Sequence, residues 1–342
     1  MKHQLLLKKI FHFTSISLIP LILFILFYTY YDPFKVLRDY KNYSSSEVVL
    51  NRDYVSTTMF LKNHKKNNYN SFIFGSSRTL AFRTKVWSKY LTKKDKIFVF
   101  DASSESIYGI YTKLKYLDSK KIKITNAIIV ICRDRTFEYD KNHEGHLFIK
   151  HPEISGESKL HFQFEFLKDY FTPKFLFSFY LHKIIKEYKP FMFGYIVNEK
   201  TIYDTLTNEI NLDIPEKEIK QNPIRYYLEK KDVFYRRKGE HLDSIERINQ
   251  EQLFMLNEVK RILIKNKTNY KVIISPLYEQ IKFSKKDVTI LKTIFGHNLY
   301  DFSGKNQFTE PVNNYYENSH FRPKVGDSIF EIIYNKTHNI NM

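Results

Sequence analysis

The sequence predicts a three-layer α/β/α protein: a parallel sheet under helices on both faces, with an apolar helix at the amino end and a helical insertion. Three observations carry this. Short runs of aromatic and β-branched residues recur along the chain and are apolar at successive positions, not alternate ones. Strands apolar on both faces belong to parallel sheets covered on both sides. Segments with helical spacing separate these runs, as strand–helix–strand crossovers require. Finally, residues 13–31 lack any charged side chain and are rich in Ile, Leu and Phe.

The amino end comes first. Lys2, Lys8 and Lys9 lie in residues 1–12, and basic residues before an apolar segment predict a cytoplasmic amino end. A helix over 13–31 is about 28 Å long, close to the hydrocarbon thickness. Tyr28, Tyr30 and Tyr31 gather at its far end, where an interfacial aromatic belt would sit. No small-residue cleavage site follows, so the segment reads as an uncleaved, single-pass signal anchor in the inner (cytoplasmic) membrane. Residues 32–342 are then expected outside the cytoplasm, with the lipid bilayer as a partner.

Residues 32–70 read as a polar connector with helical pattern around 49–62. The main domain is expected over 71–342. Its strands are predicted at 71–75, 97–101, 126–132, 270–276 and 298–302. Helices are predicted from 79 to 90, 106 to 117, 243 to 265, 285 to 295 and 323 to 334. Ile107, Ile110, Leu114 and Leu117 make one apolar stripe. Between residues 138 and 241 no clean strand pattern appears. Aromatic-rich helix is expected over 164–188, broken at Pro173. That region is taken as a helical insertion over the sheet's carboxyl edge, a lid or groove not needed for the core sheet.

The formal charge is +18, with Lys scattered along the chain. Such a balance favours anionic surfaces, but no nucleic-acid-binding signature accompanies it, and no nucleic-acid partner is expected. The single cysteine, Cys132, excludes an intrachain disulfide and a CxxC metal site. His143, Glu144, His146 and His151 do not match His-Glu-x-x-His spacing and read as loop histidines. No metal or cofactor is predicted.

Two stretches carry chemistry. The run Phe72-Ile73-Phe74 ends in Gly75-Ser76-Ser77-Arg78. A strand that stops there points hydroxyls off the sheet's carboxyl edge, where open α/β sheets place their sites. Capping of the next helix is the alternative role for such a serine. Far along the chain, Glu317-Asn318-Ser319-His320 puts an acid three residues before a histidine. A serine nucleophile needs a base, and the base needs an orienting acid. Arg78 could hold a substrate anion or pair with Asp134 or Glu317.

These two stretches together resemble the SGNH/GDSL hydrolase family, closest to its membrane-anchored bacterial branch. The resemblance spans residues 71–137 and 243–342 and implies a flavodoxin-like fold. It makes Ser77 the nucleophile, with Ser76 where the family carries Asp. His320 becomes the base and Glu317 the orienting acid, with Glu replacing the family's Asp. The family's oxyanion Gly corresponds to Ser106, in Asp101-Ala102-Ser103-Ser104-Glu105-Ser106. Its oxyanion Asn corresponds to Asp134, in Cys132-Arg133-Asp134-Arg135, and an ionised carboxylate cannot donate. The resemblance implies an extracytoplasmic esterase or O-acyltransferase acting on acyl groups, acetyl foremost, of cell-envelope glycans. A glycan or acylated polymer and a membrane-bound acyl donor protein are the partners it implies. The rival expectation is a non-catalytic, membrane-tethered glycan-binding or assembly protein on the same fold, which the altered oxyanion blocks favour.

Overall fold

The structure is a computed structural model of the 342-residue chain and describes residues 2–133, 135–138, 141 and 144–335. Five parallel strands form the central sheet: β1 Ser71–Gly75, β2 Ile97–Val99, β3 Asn126–Ile131, β4 Asn269–Ile274 and β5 Leu299–Asp301. Their order is β2-β1-β3-β4-β5. Ser71 lies opposite both Ile97 and Asn126, and Ile274 opposite Asp301. The order reverses between β1 and β3, and doubly wound sheets place their ligand crevice at such a point, beyond the carboxyl ends of the strands.

Alternate strand residues face two separate cores. On one side, Phe72, Phe74, Ile129 and Ile274 pack against α2 (Arg52–Asn67), α3 (Ile107–Ser119), α8 (Gln250–Lys265) and α9 (Lys285–Phe295). On the other, Ile73, Val99, Val130 and Ile273 pack against α10 (Pro323–Asn335) and the segment through Phe82 and Trp87. Each fully buried Phe or Ile contributes about 1.5–3 kcal/mol over the exposed state. Both faces of every strand are thereby satisfied, which is why the runs lack alternation.

The amino-terminal helix α1 runs Lys2–Tyr31. Within Leu6–Tyr31 an 18-residue stretch has a mean hydropathy of 2.3, and the helix is long and apolar enough to cross a membrane. Phe13 and Ile19 are exposed along it. Its last turns are not free: Tyr28 is buried, its ring 4.9 Å from that of Tyr170, and the Tyr170 hydroxyl donates to the Phe24 carbonyl. Tyr28 therefore leaves the expected aromatic belt and enters the protein.

Residues 32–70 differ from a connector. Asn51 caps α2 by accepting the Tyr54 amide, and Val55, Met59 and Phe60 of that helix lie in the core. The apolar residues are too few and too closely grouped to stand out among the lysines and asparagines around them. Between β3 and β4 the chain forms α4 (Lys159–Tyr170), α5 (Pro173–Ile185), α6 (Asp213–Gln221) and α7 (Pro223–Glu229). This stretch is bound to the sheet. The Val99 amide donates to the Thr207 carbonyl at 2.8 Å, and the Asn208 amide group donates to the Val99 carbonyl at 2.7 Å. Residues 207–208 thus lie along the open edge of β2, and this stretch contributes no strand to the five-stranded sheet among the described residues. A small parallel pair, His241–Leu242 with Ile281–Lys282, lies apart.

Candidate active site

Ser77 opens a 3-10 turn, Ser77–Ala81, directly after β1. Gly75 permits the turn: its φ is +148°, and a Cβ there would lie 2.8 Å from the Val130 carbonyl oxygen. The capping role falls to Ser76, whose hydroxyl accepts the Arg78 amide and lies 3.1 Å from the Cys132 thiol. Capping by Ser76 leaves the Ser77 hydroxyl for another partner. Gly326 of α10 brings that helix against the same turn, since a Cβ there would lie 2.0 Å from the Ala81 carbonyl oxygen.

That partner is His320. Its Nε2 lies 2.7 Å from Ser77 Oγ, across 243 residues of sequence. Its Nδ1 bonds to a Glu317 carboxylate oxygen, and the other Glu317 oxygen accepts the Ser319 amide at 2.6 Å. Burial alone would raise the Glu317 carboxyl. The His320 hydrogen bond and charge and the Ser319 amide outweigh it, and the carboxyl stands below its ordinary value. An ionised Glu317 only accepts, so Nδ1 carries the proton, Nε2 is left as acceptor, and Ser77 donates. The His320 and Glu317 side chains retain 35% and 28% exposure, so the series is reachable from solvent.

The histidine loop is braced from several sides. Tyr315 bridges to Phe321, and the Tyr316 amide donates to the His320 carbonyl, closing a tight turn. Arg78 is buried and its Nε donates to the Ser319 carbonyl at 3.1 Å. Arg78 thus ties the serine turn to the histidine loop; its reading as a partner of Asp134 falls on a residue outside the described ones. From α6, Glu216 accepts from Nε and Nη2 of Arg322 and from the Tyr316 hydroxyl. From α7, the Tyr226 and Tyr227 hydroxyls donate to the Tyr316 and Tyr315 carbonyls.

Ser106 is elsewhere engaged. It caps α3, its hydroxyl accepting the Gly109 amide and its own amide donating to Glu105, and it is fully buried. With both groups held inside its own turn, it cannot serve as the oxyanion donor. Asp134 lies outside the described residues. From the stretch after β2, Asp101 and Ser103 share a cavity with Ser77. Sequence reasoning passed over Ser103 because a run of three serines in six residues gives no signal for which one faces the site. His146 bonds to Asp169 through Nδ1 at 2.7 Å and packs on Phe34, while the His151 ring caps the turn Pro152–Ser155.

Two cavities meet at the site, and Leu80 lines both. One, of about 470 Å3, contains Ser77. The other, about 230 Å3, contains His320 and Glu317 along with Glu199, Glu218, Tyr226, Lys230 and Tyr316.

Taken together these features define a mixed α/β protein with a parallel central sheet and one amino-terminal apolar helix, in which serine, histidine and carboxylate bond in series at the strand ends. No family model matches the chain, and no curated protein matches it.

Proposed function

We propose that this chain is a membrane-anchored serine esterase or O-acyltransferase of the SGNH type, a three-layer domain with residues 138–241 as a helical insertion. The observation that carries the reading is the Ser77–His320–Glu317 series at the carboxyl edge of the sheet, beside the switch point. In this reading Ser77 Oγ attacks an acyl carbonyl while His320 Nε2 takes its proton and Glu317 holds the ring. Backbone amides of Ser77 and Ser103 are assigned to the oxyanion. The ester C–O bond then breaks, and His320 returns the proton to the departing alcohol. Water or a glycan hydroxyl, deprotonated by the same nitrogen, releases the acyl group and restores Ser77.

The alcohol or acceptor belongs on the His320 side, since that ring must reach its oxygen. The cavity there offers tyrosines, carboxylates and a lysine, side chains suited to sugar hydroxyls, which supports a glycan of the cell envelope as acceptor. Helix α1 is assigned as the anchor in the cytoplasmic membrane, with the domain on its outer side, and a membrane-bound acyl donor protein fits that placement.

The test is labelling of the full-length protein in detergent by a fluorophosphonate. Wild type should label at Ser77, Ser77→Ala should not, and His320→Ala should label far more slowly. Absence of labelling in wild type overturns the reading. The commitment of Ser106 to α3 favours one rival, a non-catalytic glycan-binding protein. It requires an unlabelled wild type whose glycan binding survives Ser77→Ala.

A further inference from the structure

The cavity that contains Ser77 differs in character from the one that contains His320. Its walls include Val48, Val49, Leu50, Leu147, Ile196 and Tyr203. The charged side chains among its lining residues, Arg52 and Asp101, are salt-bridged to each other at 2.8 Å. Arg52 also donates to the Asn208 side chain and carbonyl. The cation and anion at its floor are thus already matched, and the remaining surface is mostly hydrocarbon. At about 470 Å3 the cavity lies within the range of sites that enclose small molecules, ~300–1,000 Å3. An acetyl group would leave nearly all of it unfilled.

The chemistry at Ser77 orients any substrate. The alcohol oxygen must face His320, so the acyl substituent must extend to the Ser77 side, into this cavity. Val48 and Ile196 also pack in the cluster that holds Tyr28 at the end of α1. Phe193, which lines the cavity too, is 76% exposed. The chamber therefore adjoins the end of the membrane-length helix.

We propose that this cavity binds the aliphatic chain of an acyl ester of medium or greater length, making the substrate a fatty-acyl ester and not an acetyl ester. The inference rests on the hydrolase reading above and names its acyl group. The step balances as before: the fatty-acyl carbon–oxygen bond to the alcohol breaks, a bond to Ser77 Oγ forms, and the proton passes through His320 Nε2 to the alcohol.

The experiment uses the full-length protein in lipid nanodiscs and has two arms. In the first, kcat/KM is measured on p-nitrophenyl acetate, butanoate, hexanoate and octanoate. Octanoate should exceed acetate by at least about ten-fold, because each methylene held in an apolar pocket adds a substantial factor. Val49→Trp and, on another part of the wall, Leu147→Trp should each lower the octanoate-to-acetate ratio by about ten-fold or more. Two variants guard against one failing to fold. In the second arm, Ser77→Ala is irradiated with a diazirine-bearing fatty acid and the labelled peptides are mapped. Labelling should fall on residues 188–203, be displaced by octanoate and not by acetate, and drop in the Ser77→Ala/Val49→Trp double variant.

Acetate preferred in the first arm, with no specific photolabelling in the second, overturns the chain inference and leaves the hydrolase reading standing. Photolabelling as described with no ester turned over reverses that outcome: the chain site stands and the hydrolase reading falls. Failure in both arms removes both.

Discussion

Two charged constellations flank the carboxyl edge of the sheet, and they are opposites. In one, Lys113 Nζ lies 3.0 Å from Asp53 and 2.5 Å from Glu105, while Lys150 bonds to the same Glu105. None of these side chains is more than 1% exposed. In the other, Ser77, His320 and Glu317 bond in series, about a third exposed and fronting two cavities. The first closes on itself: two cations meet two carboxylates, and the His151 amide takes a further Asp53 oxygen. The second ends in a hydroxyl that faces open space. Buried ions whose partners are all protein groups hold segments together, here α2, α3 and the stretch before α4. A series that terminates at a cavity is arranged to act on something else.

The largest expected effect breaks that comparison directly. Ser77→Ala and His320→Ala should each reduce acyl turnover by about 10⁶-fold, and the double variant should lose no more, since the pair acts as a unit. Glu317→Gln should cost about 10⁴-fold through loss of the tautomer that leaves Nε2 free to accept. Unfolding by urea, followed through the buried Trp87, should be unchanged within about 1 kcal/mol for Ser77→Ala, because a part-exposed hydroxyl at a cavity supports little. Turnover surviving Ser77→Ala would dissolve the distinction between the two constellations.

Lys113→Met should give the converse. It leaves Asp53 and Glu105 facing Lys150 alone, and an uncompensated buried charge costs about 3–5 kcal/mol. Fluorophosphonate labelling in the fraction that remains folded should proceed at the wild-type rate. Adding Glu105→Gln to Lys113→Met restores the charge balance and should recover part of the loss. A Lys113→Met protein as stable as wild type would show that the cluster is not what joins these segments.

How much of this could be read from the sequence follows the range of the interactions. β1 is found at its expected bounds, Ser71–Gly75, and α9 at its own, because an apolar run beside Gly75 and an amphipathic repeat after Ser284 are local signals. The meeting of Ser77 with His320 follows from topology, since parallel strands deliver both loops to one edge. The rest depended on partners far apart in sequence. Nothing near Arg78 points to the Ser319 carbonyl, and nothing near Thr207 marks it as the neighbour of β2. The helical pattern around 49–62 corresponds to α2, but its place in the core is hidden because its buried face includes Ser56 and Thr57 as well as Val55 and Met59, so polar side chains blur the stripe. Lys113 and Lys150 look like two more surface lysines of a basic chain until their carboxylates are brought to them.

The smallest expected effect concerns acid stability and separates the two carboxylates. Burial pushes Asp53 up, but Lys113 and Lys150 pull it further down, so its carboxyl lies below its ordinary value. Glu317 is likewise depressed, against burial, by His320 and the Ser319 amide. A carboxyl depressed by folding contributes stability that is present above its unfolded pKa, about 4, and is lost as pH falls through the folded value. Lys113 has the opposite sign. Burial lowers it, yet Asp53 and Glu105 raise it further; its contribution is complete below about 10.4 and fades only as pH rises past its folded value. Between those limits these groups add no slope. The stability gap between wild type and Glu317→Gln should therefore hold from neutral pH to about 4 and close below it, as wild type loses the ionised carboxylate that the variant never had. The gap should be small, because solvent reaches Glu317 and screens its pair with His320. The corresponding gap for Asp53→Asn should be larger and should persist to lower pH. Urea midpoints at stepped pH values measure both, and a Glu317→Gln gap that stays constant as pH falls below 4 would mean that the Glu317 charge is not what the folded loop holds.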